Sequence, residues 1–470
     1  MGCKTFLDTV HGYITVPSEY CIEFIDTENF QRLRRIEQLS SRSLFPCARH
    51  DRFVHSLGVY HIGKQMLDSI EKSCKSITTK HKASFQIACL LHDVGHSPFS
   101  HTLEDMFGTV EELFNVFLDK AKEVNIDDSF SDVDLTLSDV KQHEILSALL
   151  CITTYRDGII RLGGDPCHVS RMIMGFPYRN PEKSLDDCLI SLLHGDVIDA
   201  DKIDYICRDK WASGYQSNSV DIDRIIRALR IIDSEGKFQI VYSKIALYEI
   251  NALIDNKNFQ TNWIFKHHQV VYEQKIFLNA VKALVQCLFK NQDVKACKLF
   301  DFNSFYHKVD VCEGCSVYML SDDDIVHLMK AHGDEIPTFN EWMSRKYNYK
   351  PLWKTYSEMI AMLGPDLSNR IMTDKGSIYD DIVKLIKDKY GVDVFSLDST
   401  PKIKSIHKGQ IFIEYNDIIR DFTDLGLPPH DNVYKDRTFK YVFIERKLYE
   451  DNPSLWQHSI IEDIQNLLRD

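Results

Sequence analysis

The chain has 470 residues, of which 44% are hydrophobic and 27% are charged, and its formal net charge is −13. This composition is typical of a soluble globular protein, and the acidic excess argues against a general nucleic-acid surface, which needs a basic stripe. The sequence has no run of about 18 apolar residues, and no basic stretch followed by an apolar segment at its start, so neither a membrane span nor a signal peptide is expected. Thirteen cysteines without a disulfide framework favour a reducing, cytoplasmic location.

Helical patterns dominate the first part of the chain. Apolar residues recur at helical spacing over 26–39, 55–70, 81–95 and 144–155, and several of these segments follow Asp or Ser. From residue 293 the pattern is mixed. LSDDDIVHLMK (320–330) predicts a helix capped by Ser, whereas FIEYND (412–417) and YKDRTFKYVFIER (434–446) alternate as strands do. The sequence predicts a mainly α fold, with a helical core over 1–290 and a smaller α+β region over 291–470.

The segment LLHDVGHSPFSH (90–101) concentrates groups that are costly to bury. The pattern predicts a helix that runs to Gly95 and a second helix that starts at Ser97 and Pro98. His92 and Asp93 are adjacent, so one turn can offer both a nitrogen and an oxygen ligand to a metal ion.

A metal site needs further ligands, and His55 in RFVHSLGVYHIG and Asp201 in DADKIDYICRD are the candidates. Two imidazoles and two carboxylates suit iron, manganese or another divalent transition metal, and they leave coordination positions for water or phosphate. A lone buried histidine is more often an ordinary core residue. The group of histidines with nearby carboxylates favours a site, because each buried charge needs its own partner.

Four motifs resemble those of the HD-domain deoxynucleoside triphosphate triphosphohydrolases (dNTPases), of the bacterial type without an added SAM domain. They are RFVHSLG, LLHDVGHSPFSH, DADKIDYICRD and NWIFKHHQVVYEQK, and the resemblance covers about residues 1–290. It implies an HD-domain helical core that hydrolyses a dNTP to a deoxynucleoside and inorganic triphosphate. The order H…HD…D alone is typical of any HD phosphohydrolase.

The resemblance implies roles for residues at matching positions. The implied metal ligands are His55, His92, Asp93 and Asp201. The implied phosphate-side and acid–base residues are Arg52, His96, His101, Glu104 and His143. The implied substrate contacts are Gln38, Leu39, Lys202, Tyr205, Asp209, His268 and Tyr272. Of these, Lys202, Tyr205 and Asp209 share one helical stripe by their spacing, and Tyr272 matches the aromatic ring that crowds the 2′ position of the sugar.

The predicted chemistry needs an acid. The departing 5′-oxygen is a poor leaving group as an alkoxide, and a histidine can give it a proton near neutral pH. We expect His101 to be that acid, with Glu104 holding its ring and raising its pKa. Magnesium is expected with the substrate phosphates. Two positions depart from the family: Glu104 stands where Asp is commoner, and Ile264 stands where vertebrate members have a phosphate-binding Arg, with Lys266 or His268 as its candidate replacement.

The resemblance also implies control by a second nucleotide. Lys4, Asp26, Gln31 and Arg34 match positions at which tetrameric members bind an activating guanine nucleotide between subunits. Phe45, Arg224 and Lys275 match the neighbouring activator pocket. Spacing alone favours a simpler interpretation, in which Asp26 is a helix N-cap and Gln31 and Arg34 lie on a solvated face. The expectation from the family is a homotetramer that dGTP or GTP stimulates.

Two other functions fit parts of the pattern. One is an HD phosphohydrolase that acts on a nucleoside monophosphate or a cyclic nucleotide, which would not release triphosphate. The other is a nucleotide-sensing scaffold with vestigial hydrolysis. The complete set of predicted ligands argues against the scaffold, because a binding module does not need a metal beside an acid.

Overall fold

The structure is a computed structural model that describes residues 2–40, 44–126, 130, 137, 140–289, 298–305, 308–312, 315–416, 418–427, 434–452 and 458–469. Within these ranges the chain is mostly helical, as predicted. The α-helices are α1 (Ser18–Tyr20), α2 (Glu28–Arg32), α3 (Arg52–Ile70), α4 (Thr79–Leu91), α5 (Val110–Glu123), α6 (Gln142–Ile152), α7 (Arg156–Arg161), α8 (Pro166–Met174), α9 (Ser184–Leu193), α10 (Ala200–Ser213), α11 (Ile222–Ala228), α12 (Leu247–Gln260), α13 (His268–Leu288), α14 (Asp322–Ala331), α15 (Phe339–Ser344), α16 (Tyr356–Leu363), α17 (Pro365–Thr373), α18 (Ser377–Tyr390), α19 (Arg446–Asp451) and α20 (Ile460–Arg469). None of the described helices has both the length and the apolar surface that a bilayer crossing requires.

The strands form small sheets. They are β1 (Cys3–Asp8), β2 (Gly12–Pro17), β3 (Leu229–Ser234), β4 (Lys237–Ser243), β5 (Val309–Cys312), β6 (Cys315–Val317), β7 (Tyr349–Pro351), β8 (Val394–Asp398), β9 (Phe412–Tyr415), β10 (Ile418–Asp421) and β11 (Lys440–Glu445). Strands β1 and β2 form an antiparallel hairpin, as do β5 and β6. The larger sheets have the strand orders β10-β9-β4-β3 and β7-β11-β8.

The chain divides into two compact units whose segments alternate along the sequence. The first unit comprises Met1–Asn256, Leu284–Ala331 and Ile406–Pro429, and the second comprises Lys257–Ala283, His332–Ser405 and His430–Asp470. The first unit has a core of apolar side chains from α3, α4, α8 and α9, and the core of the second includes Trp353, Tyr379 and Val442. The predicted boundary at residue 290, which concerned the extent of the catalytic core, stays a prediction.

Most predicted elements are present, but three predicted helices are too long, and the one expected over 144–155 ends at Ile152. The segment 26–39 is helical only as α2 and a 3-10 turn at Leu33–Arg35, after which Ile36 is extended and Glu37 pairs with Asp51. The side chain of Thr27, and not that of Asp26, accepts the capping hydrogen bond from the backbone of Phe30. The helix expected over 81–95 ends at Leu91, so His92–Gly95 lie in turns.

Two glycines allow the elements around the histidines to approach closely. A Cβ atom on Gly58 of α3 would lie 1.9 Å from Oδ1 of Asp204 in α10. A Cβ atom on Gly95 would lie 2.4 Å from the backbone nitrogen of Ser147 in α6. Since either contact would force the backbones apart, these glycines set the distances at which α3, α6 and α10 surround the turn after α4.

The segment after Gly95 is a short irregular turn where the sequence predicts a helix. Phe99 and Ser100 have φ of 54° and 50°, a conformation that costs free energy for residues with a side chain. Short 3-10 helices follow at Ser100–Thr102 and Glu104–Phe107. The Ser97 hydroxyl donates to the Ser100 carbonyl over 2.7 Å, and the Ser100 hydroxyl donates to the Glu37 carbonyl over 2.7 Å. These bonds hold the turn in place.

Two buried charges from distant parts of the chain also hold this turn. The Asp322 carboxylate, at the start of α14, accepts from the backbone N–H groups of Phe99 over 2.6 Å and Glu37 over 3.0 Å. The Arg32 guanidinium donates to the carbonyl oxygens of Val94, His96 and Leu320 over 3.2, 2.6 and 2.9 Å. Arg32 is 64 positions from His96, and Asp322 is 223 positions from Phe99, so the turn that carries the histidines is fixed by side chains far away in sequence.

The buried carboxyl of Asp322 predicts a pH dependence of stability. Burial raises its pKa to about 7, although the backbone N–H groups of Glu37 and Phe99 oppose the shift. Its ordinary pKa is 3.8, so the folded protein binds this proton more tightly than the unfolded chain. The stability that results is fully present below a pH of about 4 and is lost as pH rises through about 7. Asp322→Asn cannot ionise and should not show this loss.

Urea unfolding of both proteins at a series of pH values measures the effect. The free energy of unfolding of Asp322→Asn, relative to the unmodified protein, should rise between a pH of about 4 and about 7. Asp323→Asn is the matched control, because the adjacent Asp323 has 68% of its side chain exposed and pairs with Arg35. A difference for Asp322→Asn that stays constant with pH would contradict the prediction.

Candidate functional site

The four predicted metal ligands lie together in the first unit. His55 belongs to α3, His92 and Asp93 follow α4, and Asp201 lies in the first turn of α10. Nε2 of His55 is 3.0 Å from Oδ1 of Asp201, 3.3 Å from Nε2 of His92 and 3.6 Å from Oδ2 of Asp93. His55, His92 and Asp93 are buried, while 34% of the Asp201 side chain is exposed, which leaves one side of the cluster open.

The hydrogen bonds of the two histidines leave Nε2 available for a metal. Nδ1 of His92 lies 2.9 Å from the Cys89 carbonyl oxygen, which can only accept, so Nδ1 carries the proton. Nδ1 of His55 donates to Oδ2 of Asp204 over 2.7 Å. If both rings were neutral at Nε2, the two lone pairs would face each other at 3.3 Å and would repel unless a proton or a metal cation lay near both. The donor set therefore fits a divalent transition metal.

The Asp204 carboxylate orients His55 and is itself held by cations. Arg208 donates to it through Nε over 2.8 Å and through Nη2 over 3.0 Å, and His11 lies 2.6 Å away. Burial would raise the pKa of Asp204, but Arg208 and the two histidines keep it well below its usual range. Burial lowers the pKa of His55, and its bonds to Asp201 and Asp204 outweigh this and raise it to about 9. A bound cation would displace that proton from Nε2.

Asp93 is paired with a buried cation on its other side. Nη1 of Arg52 donates to Oδ2 of Asp93 over 2.6 Å, and Nε of Arg52 donates to the Ser100 hydroxyl over 3.0 Å. Burial opposes ionisation of Asp93, yet Arg52 and the neighbouring histidines hold its pKa well below the ordinary value. The carboxylate is therefore ionised, as a ligand must be.

The other predicted acid–base residues form a second cluster around one carboxylate oxygen. Oε1 of Glu104 is 2.7 Å from Nδ1 of His143 and 3.0 Å from Nδ1 of His101. The ring of His96 stacks on that of His143, with centroids 4.0 Å apart. Glu104, which replaces the commoner Asp of the family, is long enough to reach both imidazoles.

The groups of the second cluster have different proton affinities. Burial raises the pKa of Glu104, but His143 and His101 lower it well below its usual range. Burial lowers the pKa of His143, and Glu104 reverses this so that the net shift is upward. Burial and Arg52 lower the pKa of His96, whose two ring nitrogens have no hydrogen-bond partner among the described residues.

The expectation for the pKa of His101 is wrong in its net direction. Glu104 does raise this pKa, as predicted, but desolvation of the ring outweighs the carboxylate, and Lys141 and Arg52 lower the pKa further. His101 is thus held by Glu104 without being made more basic than an ordinary histidine.

Asp93 joins the two clusters. Its Oδ1 lies 3.6 Å from Nε2 of His92, 3.7 Å from Nε2 of His96 and 3.9 Å from Nε2 of His143. The predicted metal ligands and the predicted acid–base groups therefore meet around one carboxylate. A group bound by the metal ligands would lie within reach of the imidazoles.

The predicted substrate residues of α10 share one helix, but the charged groups of Lys202 and Asp209 already have partners. The Lys202 ammonium donates to the Asp199 carboxylate and, over 2.7 Å, to the Gly195 carbonyl. Oδ1 of Asp209 lies 2.8 Å from Nε2 of His50. The ring of Tyr205 is partly buried. Their contacts with phosphate and sugar stay predictions.

The other predicted substrate residues lie in both units. In the first unit Leu39 is buried, and the side-chain oxygen of Gln38 is buried with no partner among the described residues. In the second unit the Tyr272 ring is in the core and its hydroxyl donates to Glu341. Ile264 and Tyr272 are both 2% exposed, and His268 is partly buried. The roles of His268 and Tyr272 with substrate stay predictions.

Four of the predicted activator residues are close together on the first unit. The Lys4 ammonium lies 2.5 Å from the Asp26 carboxylate. Nε2 of Gln31 donates to the Ile25 carbonyl over 2.7 Å and Nε of Arg34 donates to Oε1 of Gln31 over 2.9 Å. Of the second predicted pocket, Phe45 is partly buried, Arg224 lies 3.7 Å from Glu249, and Lys275 is exposed in the second unit. Nucleotide binding by these residues stays a prediction.

Sequence reasoning missed the residues that orient the predicted ligands. Asp204 and Arg208 support His55, and they lie three and seven positions after Asp201, on the same face of α10. That spacing was a usable signal. His11, Arg32 and Asp322 carried none, because only the folded chain brings them to the site.

The comparisons with known proteins agree with the geometry. The family model described as HD domain matches residues 52–151. An uncharacterised Bacillus subtilis protein, YwfO, is 29% identical over 59% of this chain and 55% of its own length. The deoxynucleoside triphosphate triphosphohydrolase SAMHD1 homolog of Dictyostelium discoideum is 30% identical over 58% of this chain and 46% of its own length. The chain thus spans about half the length of these curated relatives.

Solved structures share the fold over nearly the whole chain. A hypothetical protein of Aquifex aeolicus superposes with a TM-score of 0.64 at 20% identity, covering 96% of this chain and 99% of its own. A phosphohydrolase of Bacteroides thetaiotaomicron gives 0.61 at 19% identity, covering 94% and 100%. SAMHD1 of Gallus gallus is 27% identical over 84% of this chain and 64% of its own length. The HD-domain match and the sequence similarity to the SAMHD1 proteins support membership of the HD-domain family that includes the deoxynucleoside triphosphate triphosphohydrolases.

Proposed function

We propose that this protein is a metal-dependent dNTP triphosphohydrolase, which converts a dNTP to a deoxynucleoside and inorganic triphosphate. The observation that carries the proposal is the position of Asp93, whose Oδ1 is within 3.9 Å of both a metal-ligand histidine and two acid–base histidines. Hydrolysis at an α-phosphoryl group needs charge neutralisation and a proton donor at one place. The SAMHD1 proteins among the relatives support the choice of dNTP as substrate.

The metal is held by His55, His92, Asp93 and Asp201, and iron or manganese suits this mixed set of nitrogen and oxygen donors. A bound divalent cation supplies a Lewis acid that lowers the pKa of water and offsets phosphate charge. The protein contributes the ligand geometry: Asp204 and the Cys89 carbonyl fix the two imidazoles, and Arg52 fixes Asp93. Magnesium is proposed to accompany the substrate phosphates.

Arg52 and Lys202 are the cations proposed to face the phosphates. Arg52 is bound to Asp93 and Ser100, so it can act on a phosphate only while it also orients the ligand. Lys202 would exchange its present partners, Asp199 and the Gly195 carbonyl, for phosphate oxygens. The buried Asp199 carboxylate would then keep the backbone N–H groups of Gly195 and Lys202 as its partners.

His101 is proposed to give its proton to the 5′-oxygen. Nδ1 of His101 donates to Glu104, which leaves Nε2 to face the leaving group. Its lowered pKa makes the protonated ring a stronger acid and also lowers the fraction of the ring that is protonated at neutral pH. His96, whose ring nitrogens are unpartnered among the described residues, is proposed to bind a phosphate oxygen or the attacking water.

Product analysis tests the proposed function. The purified protein is incubated with Mg²⁺, Mn²⁺ or Fe²⁺ and, in turn, with each dNTP, NTP and dNMP, and products are separated by chromatography. Deoxynucleoside with inorganic triphosphate is the expected result. Orthophosphate released from a dNMP, with no triphosphate from any dNTP, would favour an HD phosphohydrolase acting on a monophosphate.

Removal of one proposed ligand should remove the metal. Asp93→Ala is expected to lose bound transition metal and turnover, because the remaining shell is incomplete and Arg52 loses its anionic partner. Metal content is measured by elemental analysis of the purified protein, and circular dichroism checks the fold. Asp105→Ala, at an exposed position on the same segment, is the control. Full metal content in folded Asp93→Ala would contradict the assignment.

Removal of the proposed acid should spare the metal. His101→Ala is expected to keep its metal while kcat falls by about 10² to 10⁴, the usual size of a general-acid contribution. Steady-state rates with dNTP measure the effect, and His407→Ala at an exposed position is the control. If His101→Ala lost its metal as well, His101 would have to be a ligand.

We also propose activation by dGTP or GTP in a homotetramer. The amide, carboxylate and guanidinium groups close together at Asp26, Gln31 and Arg34 can match the donor and acceptor edges of guanine. We expect dGTP to raise dATP turnover together with the mass measured by light scattering, since a ligand shared by subunits favours the assembly. Asp26→Ala should lose the stimulation and keep its metal, whereas Asp68→Ala should retain both. A monomer whose dATP turnover ignores dGTP would contradict this proposal.

A further inference from the structure

The second unit contains a cavity whose described lining includes none of the proposed metal ligands or acid–base residues and, of the predicted substrate contacts, only His268. Its volume is about 760 Å³, within the range of small-molecule sites. The turn between α12 and α13, the start of α16 and the residues that flank β8 and β11 form its walls. All of its described lining residues belong to the second unit.

The cavity is positively charged in an acidic protein. Lys266, Lys354, His267 and His268 line it, and none of its described lining residues carries a carboxylate. The chain as a whole has a net charge of −13. The described lining therefore has basic but no acidic side chains, although acidic side chains outnumber basic ones in the chain as a whole. An anion in the cavity would be attracted by the lysines and would not be repelled by a carboxylate of the lining.

Burial and the nearby positive groups lower the pKa values of both histidines that line the cavity. Burial, followed by His267 and Lys354, lowers the pKa of His268 to about 3, and burial and Lys354 lower the pKa of His267. Nδ1 of His268 is buried and has no hydrogen-bond partner among the described residues. An anionic ligand would favour protonation of these histidines and provide the missing partner.

Aromatic side chains form the rest of the wall. They are Trp263, Tyr356, Tyr434, Phe439 and Tyr441. Consecutive rings along the wall pack edge to face or tilted, with centroids 6.2 Å apart for Tyr356 and Tyr434, 6.1 Å for Tyr434 and Phe439, and 5.1 Å for Phe439 and Tyr441. Trp263 is 49% exposed although it is large and apolar. An exposed indole beside a cavity is available to stack on a planar ring.

The cavity is held open by bonds within the second unit. The Ser399 hydroxyl and the Tyr441 hydroxyl both donate to the Lys266 carbonyl, over 2.8 and 3.0 Å. The Thr355 side chain accepts from the Glu358 backbone N–H over 3.0 Å and caps α16, whose N-terminal end faces the cavity through Tyr356 and Ser357. A helix N-terminus adds partial positive charge. Little ordering is therefore needed when a ligand binds.

We propose that this cavity is a second ligand site, which binds a planar aromatic molecule carrying a phosphate, such as a nucleoside monophosphate. The ring lies against Trp263 and the tyrosines, and the phosphate lies between Lys354 and His268. A doubly charged phosphate matches two lysines and a helix N-terminus better than a single carboxylate does. The proposal does not rest on the proposed function, because binding is measured without turnover.

Isothermal titration calorimetry of the full chain with AMP tests the site. The unmodified protein should bind AMP, and Lys354→Gln and Trp263→Leu should each weaken binding by about tenfold or more. Lys384→Gln, an exposed lysine of α18 outside the cavity, is the matched control and should bind as the unmodified protein does. Wild-type affinity in both cavity variants, or no AMP binding by the unmodified protein, would overturn the proposal.

A variant of the metal centre and two further ligands show where AMP binds and which of its groups are recognised. Asp201→Asn should bind AMP with unchanged affinity; a loss there would put AMP at the metal centre and overturn the proposal. Inorganic phosphate should bind more weakly than AMP, because it lacks the ring, and phenylpyruvate should also bind more weakly, because it carries one charge. Equal affinity for phosphate, or tighter binding of phenylpyruvate, would refute the proposed ligand class.

Discussion

The hydrogen bond between His55 and Asp204 is the interaction on which the geometry of the predicted metal site depends. Both groups are fully buried, and each is costly to bury unless it is paired. Arg208 and His11 complete the coordination of the carboxylate, and Gly58 leaves room for it beside α3. These contacts fix Nε2 of His55 in a direction that meets the other ligands. The buried polar groups around His55 are thus positioned by their contacts with the Asp204 carboxylate.

The same requirement for paired charges joins the metal ligands to the acid–base groups. Asp93 is held by Arg52 on one side and approached by His96 and His143 on the other. Glu104 in turn holds two imidazoles through a single oxygen. Each of these carboxylates has a lowered pKa despite its burial, because cationic groups surround it. The site is therefore a connected network, in which a change in the charge of one group alters the pKa values of its neighbours.

The second unit differs from the first in how its charged side chains are paired. Its core is formed by aromatic and aliphatic side chains, including Tyr272 and Trp353. Beside that core, Lys354 and His268 border a cavity without an acidic partner in its described lining. In the first unit buried charges are neutralised within the protein, whereas the described lining of this cavity holds Lys266 and Lys354 without a carboxylate.

The sequence by itself determined the helical class and the segments of α3, α4 and α6, and it predicted four metal ligands that the fold brings together, because helical periodicity and closely spaced histidine and carboxylate motifs are local properties. It did not determine where the helix before His92 ends or that Phe99 takes a left-handed conformation. Those features depend on Asp322 and Arg32, which reach the turn from distant parts of the chain. Only tertiary structure decides such contacts, because a buried polar group is satisfied by whatever the fold brings to it and not by its neighbours in sequence.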